Sequence, residues 1–140
     1  MRVGICQLDQ VWEDQSANIE NITDMIKNVN GLDLLVFPEM TLSGFSMSPN
    51  ASSLLDEHHQ FFSEIAKVKQ ANVIYGGVDE SQNCLFQISR EGTRVGRYAK
   101  RHLFALDGES ESYSGGSDST VLHLDGVTII PAICYDIRFA

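Results

Sequence analysis

The chain has 140 residues, 43% of them hydrophobic, enough for one domain with a buried core. Ten basic residues against 19 acidic ones leave a net charge of −9, which argues against nucleic acid or an anionic membrane surface as partner. No apolar run approaches the ~20 residues that span a bilayer, and the opening MRVGICQLDQVW lacks the long apolar stretch of a secretory signal.

Residues 2–8 read as a first strand. Over 16–29, apolar Ile19, Ile22, Met25, Ile26 and Val29 make a helical stripe, with Ser16 as N-cap and Gly31 as C-cap. Leu32 to Phe37 is a short apolar strand closed by Pro38, followed by a loop rich in Ser, Gly and Pro over 41–53. A second helix over 54–70 points Leu54, Leu55, Phe61, Phe62, Ile65, Ala66 and Val68 inward. Strand 72–77 follows, and then a hairpin of 84–89 and 94–99 around Glu91-Gly92. Beyond a polar loop from 106 to 118, residues 120–124 and 127–134 form two more strands joined at Asp125-Gly126. The order β-α-β-α-β followed by hairpins predicts an α/β layer fold with a mixed sheet. Two helices cover only one face of such a sheet, so the other is expected to need a cover from elsewhere.

Three residues with useful chemistry stand where apolar strands end: Glu39 after LLVFP, Lys100 after VGRYA and Cys134 after TIIPAI. In open α/β sheets the carboxyl ends of strands line the ligand crevice. There a carboxylate takes a thiol proton, the thiolate attacks a carbonyl or nitrile carbon, and an ammonium stabilises the charge that develops. Taken singly, each residue has an ordinary explanation as a surface group or a small buried hydrophobe, and spacing alone sets no geometry. The cysteines, Cys6, Cys84 and Cys134, are odd in number and contain no CxxC pair, so neither a disulfide framework nor a thiolate zinc site is indicated. Cys6 and Cys84 read as core, and His58, His59 and His123 as surface residues without partners at metal-ligand spacing. Asp136 and Arg138 read as an ion pair bracing the turn after Cys134. A reducing, cytoplasmic setting is the simplest reading.

The contexts of these residues resemble the nitrilase superfamily of carbon–nitrogen hydrolases. Phe37-Pro38-Glu39-Met40, continued by Thr41-Leu42-Ser43-Gly44-Phe45, resembles its glutamate motif. Tyr98-Ala99-Lys100-Arg101-His102-Leu103-Phe104 resembles its lysine motif, and Cys134-Tyr135-Asp136-Ile137-Arg138-Phe139 its nucleophile motif. Val3 to Gln7 and Tyr75-Gly76-Gly77 extend the likeness. Lys100 to Phe104 with Glu109 and Tyr113-Ser114-Gly115-Gly116 look most like the omega-amidase-like branch.

The resemblance implies a four-layer α-β-β-α sandwich, of which residues 1–140 form roughly the N-terminal half of one carbon–nitrogen hydrolase domain. It implies hydrolysis of a small amide through a Cys134 acyl-thioester, with Glu39 as general base and Lys100 stabilising the tetrahedral intermediate. The Tyr135 N–H would be a second oxyanion donor. Glu109 would hold the lysine and orient substrate, with Glu111 as the alternative because ESES admits a slip by two. No metal or organic cofactor is implied. Expected partners are a small-molecule amide and, for assembly, a second copy or a completing chain. The competing expectation is a catalytically inactive fragment that serves as an association module through its open sheet face.

Overall fold

A computed structural model describes residues 1–48 and 54–140; the last five positions of the 41–53 loop lie outside the described residues. Alternating apolar strands and amphipathic helices pair as their pattern dictates. Strands β1 (Val3–Ile5), β2 (Leu34–Val36) and β3 (Asn72–Asp79) run parallel, separated by helices α1 (Gln15–Ile26) and α2 (Leu55–Lys69). Strands β4 (Gln82–Ile88) and β5 (Arg94–Ala99) add antiparallel, so the mixed sheet has the order β1-β2-β3-β4-β5. A two-residue turn joins β3 to β4 with positive φ at both Glu80 and Ser81, the backbone twist that tight hairpins favour. After a one-turn helix α3 (Glu109–Ser112), β6 (Leu122–Leu124) and β7 (Val127–Ile129) form a separate two-stranded sheet. Among the described residues no helix is long and apolar enough to cross a membrane.

The helices bury their stripes on one face of the sheet. Ile22, Ile26, Phe62, Ile65 and Ala66 meet Leu35, Val73, Tyr75, Cys84, Phe86 and Ile88 there, with Phe62 stacked on Tyr75 at 3.9 Å between ring centroids. The opposite face is not left bare as expected. The β6–β7 hairpin lays Leu122, Leu124 and Ile129 against Leu34, Ile74, Val36 and Leu85. At the β1 side Val3 and Ile5 remain exposed.

Several boundaries move for identifiable reasons. α1 begins at Gln15 because Asp14, not Ser16, caps it: its carboxylate accepts from the Ala17 N–H at 2.9 Å. The helix ends at Ile26, so Gly31, with φ +69°, belongs to the turn before β2 and caps nothing. On α2 the inward face is His58, Phe62, Ile65 and Ala66, whereas Leu54 and Val68 are exposed. His58 is therefore a core residue, and His59 is half-buried; only His123 lies at the surface. Burial pushes the His58 ring down to about 4, against an opposing pull from Glu57 and with a smaller push from His59. Its Nε2 pairs with Gln15 Oε1 at 3.2 Å, so the neutral ring fits its place. The 106–118 stretch contains α3, and β7 ends at Ile129, well before Cys134.

Gly76, in β3, sits directly beneath the segment that carries Glu39. A Cβ at Gly76 would lie 2.5 Å from Met40 N, 2.7 Å from Glu39 Cα and 2.7 Å from Pro38 O. All three are backbone atoms that cannot swing away. Gly76→Ala is expected to lower stability by about 1–3 kcal/mol, as overpacking does, in chemical denaturation. An unchanged midpoint would show that the glutamate segment is free to move outward.

Candidate active site

Glu39 lies three residues beyond β2, in a segment fastened from two sides. Gln10 Nε2 donates to the carbonyls of Glu39, Met40 and Thr41 at 2.9–3.2 Å. Thr41 Oγ1 donates to Pro38 O at 2.6 Å and accepts the Gly76 N–H at 3.1 Å. Met40, at φ +43°, makes the tight turn that these bonds hold.

Lys100 follows β5 directly, and its N–H donates to Asn83 O at 2.8 Å, extending the β4–β5 ladder by one rung. Its side chain is fully buried. The ammonium donates to Glu39 Oε1 at 2.7 Å and to Glu109 Oε1 and Oε2 at 3.0 and 2.8 Å. The Phe45 ring lies 5.5 Å from Nζ. Burial alone would depress the lysine; the two carboxylates outweigh it, and the net shift is upward. Glu109 opens α3 and is itself fully buried; its Oε2 also accepts the Phe104 N–H at 2.6 Å. Glu111 is exposed, so of the two alternatives it is Glu109 that meets the lysine.

Cys134 does not end a strand. It opens a 3-10 turn, Cys134–Arg138, with φ +46°, a left-handed conformation that non-glycine residues seldom adopt. Cys134 as a residue is exposed, while its thiol is partly desolvated against the buried pair. Burial pushes the thiol up, and the Glu39 charge and its hydrogen bond to the thiol push the same way. Lys100 and the Tyr135 N–H, which donates toward the sulfur, pull it down less. The structure thus brings Glu39, Lys100, Cys134, Glu109 and the Tyr135 N–H into one site. A protonated thiol beside a carboxylate and a buried cation is the equipment for attack on a carbonyl carbon. Among the described residues no group of three or more His, Cys, Asp or Glu side chains is arranged to hold a metal ion.

A sequence model of the family described as Carbon-nitrogen hydrolase matches residues 2–140. The chain belongs to the carbon–nitrogen hydrolase family. Among curated proteins it is 31% identical to the omega-amidase YafV of Escherichia coli K12, over 99% of this chain and 56% of that protein. It is also 31% identical to the 2-oxoglutaramate amidase of Bacillus subtilis, over 98% of this chain and 56% of the relative. The chain thus spans a little over half the length of the curated relatives it matches. Among solved structures, XC1258 from Xanthomonas campestris, a CN-hydrolase superfamily protein, superposes with a TM-score of 0.85 at 24% identity. That match covers 100% of this chain and 55% of the other. The NitN amidase of a Nesterenkonia species gives a TM-score of 0.85 at 20% identity, over 99% of this chain and 59% of that one. The fold is the family's mixed α/β sandwich, of which this chain is a part.

In this member of the carbon–nitrogen hydrolase family the brace of the turn at Cys134 differs from the expected Asp136–Arg138 pair. Asp136 Oδ2 accepts from the Tyr98 hydroxyl at 2.8 Å and from the Ile133 N–H at 3.1 Å. Its Oδ1 accepts from the His102 N–H at 2.8 Å and from His102 Nδ1 at 2.9 Å. Burial would raise Asp136, but these donors hold it below the ordinary carboxylate range. Arg138 is exposed, and the ion-pair reading fails because both Asp136 oxygens are taken by Tyr98, Ile133 and His102. Asn83, whose side chain reaches both Glu39 and Glu109, is absent from the sequence reading. The signal was an asparagine inside the strand pattern NCLFQI, where that residue type is depleted.

Of the three thiols, only Cys134 is exposed. Iodoacetamide is expected to label it first in the native protein, with a rate that climbs through pH 9 and beyond because the thiol is shifted upward. Peptide mapping after brief labelling checks this. Equal labelling of Cys6 or Cys84, or a rate already at its plateau near pH 7, would contradict the described site.

Proposed function

We propose that the protein hydrolyses a small primary amide through a thioester on Cys134, with a Glu-Lys-Cys triad of Glu39, Lys100 and Cys134. The observation that carries this reading is the fully buried Lys100 ammonium, shared by Glu39 and Glu109, with Glu39 near enough to the Cys134 thiol to push it upward. Glu39 takes the thiol proton as sulfur bonds to the carbonyl carbon. The oxygen becomes an anion, stabilised by Lys100 and the Tyr135 N–H. Collapse breaks the C–N bond, and the proton on Glu39 leaves with ammonia. Glu39 then deprotonates a water that attacks the thioester, and the acid departs as the thiol is restored. Glu109 keeps the lysine charged and in place.

The names of the relatives support an ω-amide of a short acid as substrate. Three unpaired cysteines support a reducing, cytoplasmic setting. Exposed Ile5, Ile130, Ile137 and Phe139 support a surface covered in the working protein by a second copy or by further polypeptide.

Ammonia release from a four- or five-carbon ω-amide acid tests the assignment. Cys134→Ser is expected to abolish turnover. Lys100→Arg is expected to lose on the order of 10²–10³ in rate, because a planar guanidinium does not fit where a compact ammonium donates. Substantial activity in Cys134→Ser, or a near-normal kcat in Lys100→Arg, would refute the roles assigned.

A further inference from the structure

Two carboxylates drawn to one ammonium repel each other unless further donors stand between them. Asn83 is such a donor. It lies in β4, wholly buried, and its Nδ2 donates to Glu39 Oε1 at 2.6 Å and to Glu109 Oε1 at 2.7 Å. Its main-chain carbonyl also receives the Lys100 N–H at 2.8 Å. One residue therefore secures the backbone of the lysine and both of its counter-ions. Its Oδ1 is buried with no hydrogen-bond partner among the described residues. An orphaned buried carbonyl works against folding. An apolar residue at this strand position would avoid that penalty, so the side chain is explained by what its amide NH2 group does in the site.

We propose that Asn83 is a positioning residue for the amide hydrolysis: its NH2 group pins Oε1 of Glu39, leaving Oε2 as the oxygen that takes the Cys134 proton. The inference rests on the proposed triad. Oε1 already accepts from Lys100 Nζ at 2.7 Å and from Asn83 Nδ2, so a proton there would displace one of two donors. Because the same NH2 group is tied to Glu109, it fixes the plane of the Glu39 carboxylate, with one oxygen held inward and the other free. In the acylation step the thiol proton moves to Oε2 and then to the departing ammonia, while Lys100 and Asn83 stay on Oε1.

The test compares the parent protein with Asn83→Ala, Asn83→Ser, Glu39→Gln and the double variant Asn83→Ala/Glu39→Gln. Two quantities are measured: kcat and KM for an ω-amide acid, and the rate at which iodoacetamide labels Cys134 at one fixed pH. Asn83→Ala is expected to lower kcat on the order of 10- to 100-fold, the scale of a small misplacement at a reacting centre, with KM within about twofold. Asn83→Ser, which keeps one hydroxyl donor, should recover part of that loss. The labelling rate should change in Asn83→Ala and in Glu39→Gln, yet the double variant should match Glu39→Gln, since Asn83 acts through Glu39. A melting temperature that falls while kcat and labelling stay within twofold of the parent would overturn the proposal. So would labelling effects that simply multiply in the double variant. Should Asn83→Ala fail to melt cooperatively, Asn83→Ser decides by the same criteria. A parent protein that labels at Cys134 but releases no ammonia would refute the amidase reading, and the labelling comparison would still decide the role of Asn83.

Discussion

A buried ammonium is tolerable only when it is paired and hydrogen-bonded, and the architecture around Lys100 follows from that requirement. Its side chain is closed off from water, and its ammonium donates to Glu39 and Glu109 at 2.7–3.0 Å. Each carboxylate then needs its own anchorage. Glu109 obtains it from the Phe104 N–H, Glu39 from the backbone fastened by Gln10 and Thr41, and both from Asn83. Removing the lysine would leave two carboxylates facing each other without their counter-ion, at a cost of about 3–5 kcal/mol. The site is thus held by the same bonds that make it chemically useful.

The turn that carries Cys134 is joined to this cluster through Asp136. Tyr98 and His102 flank Lys100 in the chain, and both donate to Asp136, two residues past Cys134. These bonds tie the lysine segment to the turn that carries the thiol. Cys134 and Met40, the latter beside Glu39, both hold left-handed backbone. Such positions cost about 1–3 kcal/mol each and persist where surrounding bonds over-determine them. Here the bonds from Gln10 and Thr41 on one side and from Asp136 on the other supply that determination.

The strand ends at Glu39 and Lys100 were legible because an apolar run closed by Pro38, or by a hairpin partner, announces itself locally. Their meeting was not, since the 61 residues between them in the numbering enter only through sheet order. The helical stripe of α2 was readable at His58, Phe62, Ile65 and Ala66, had the histidine been counted with its apolar neighbours. The apolar run Ile129 to Ile133 predicts a strand leading to Cys134, yet β7 stops at Ile129 and Asp136 folds the following residues into a turn. Asp136 finds His102 and Tyr98 34 and 38 residues away, which no reading of near neighbours discloses. The cover on the second sheet face likewise depends on where the β6–β7 hairpin docks, a tertiary choice that alternation alone leaves open.

The most direct test of a thiol worked by this buried cluster is to catch the acyl group on it. The protein is mixed with an ω-amide acid, quenched in acid within one turnover, and the peptide containing Ile133 to Arg138 is weighed. The account predicts a mass gain equal to the substrate less ammonia, located on Cys134, and diversion of that acyl group to a hydroxamate when hydroxylamine is present. Ammonia released with no acyl group on Cys134 and no hydroxamate, or an acyl group on another residue, would contradict it.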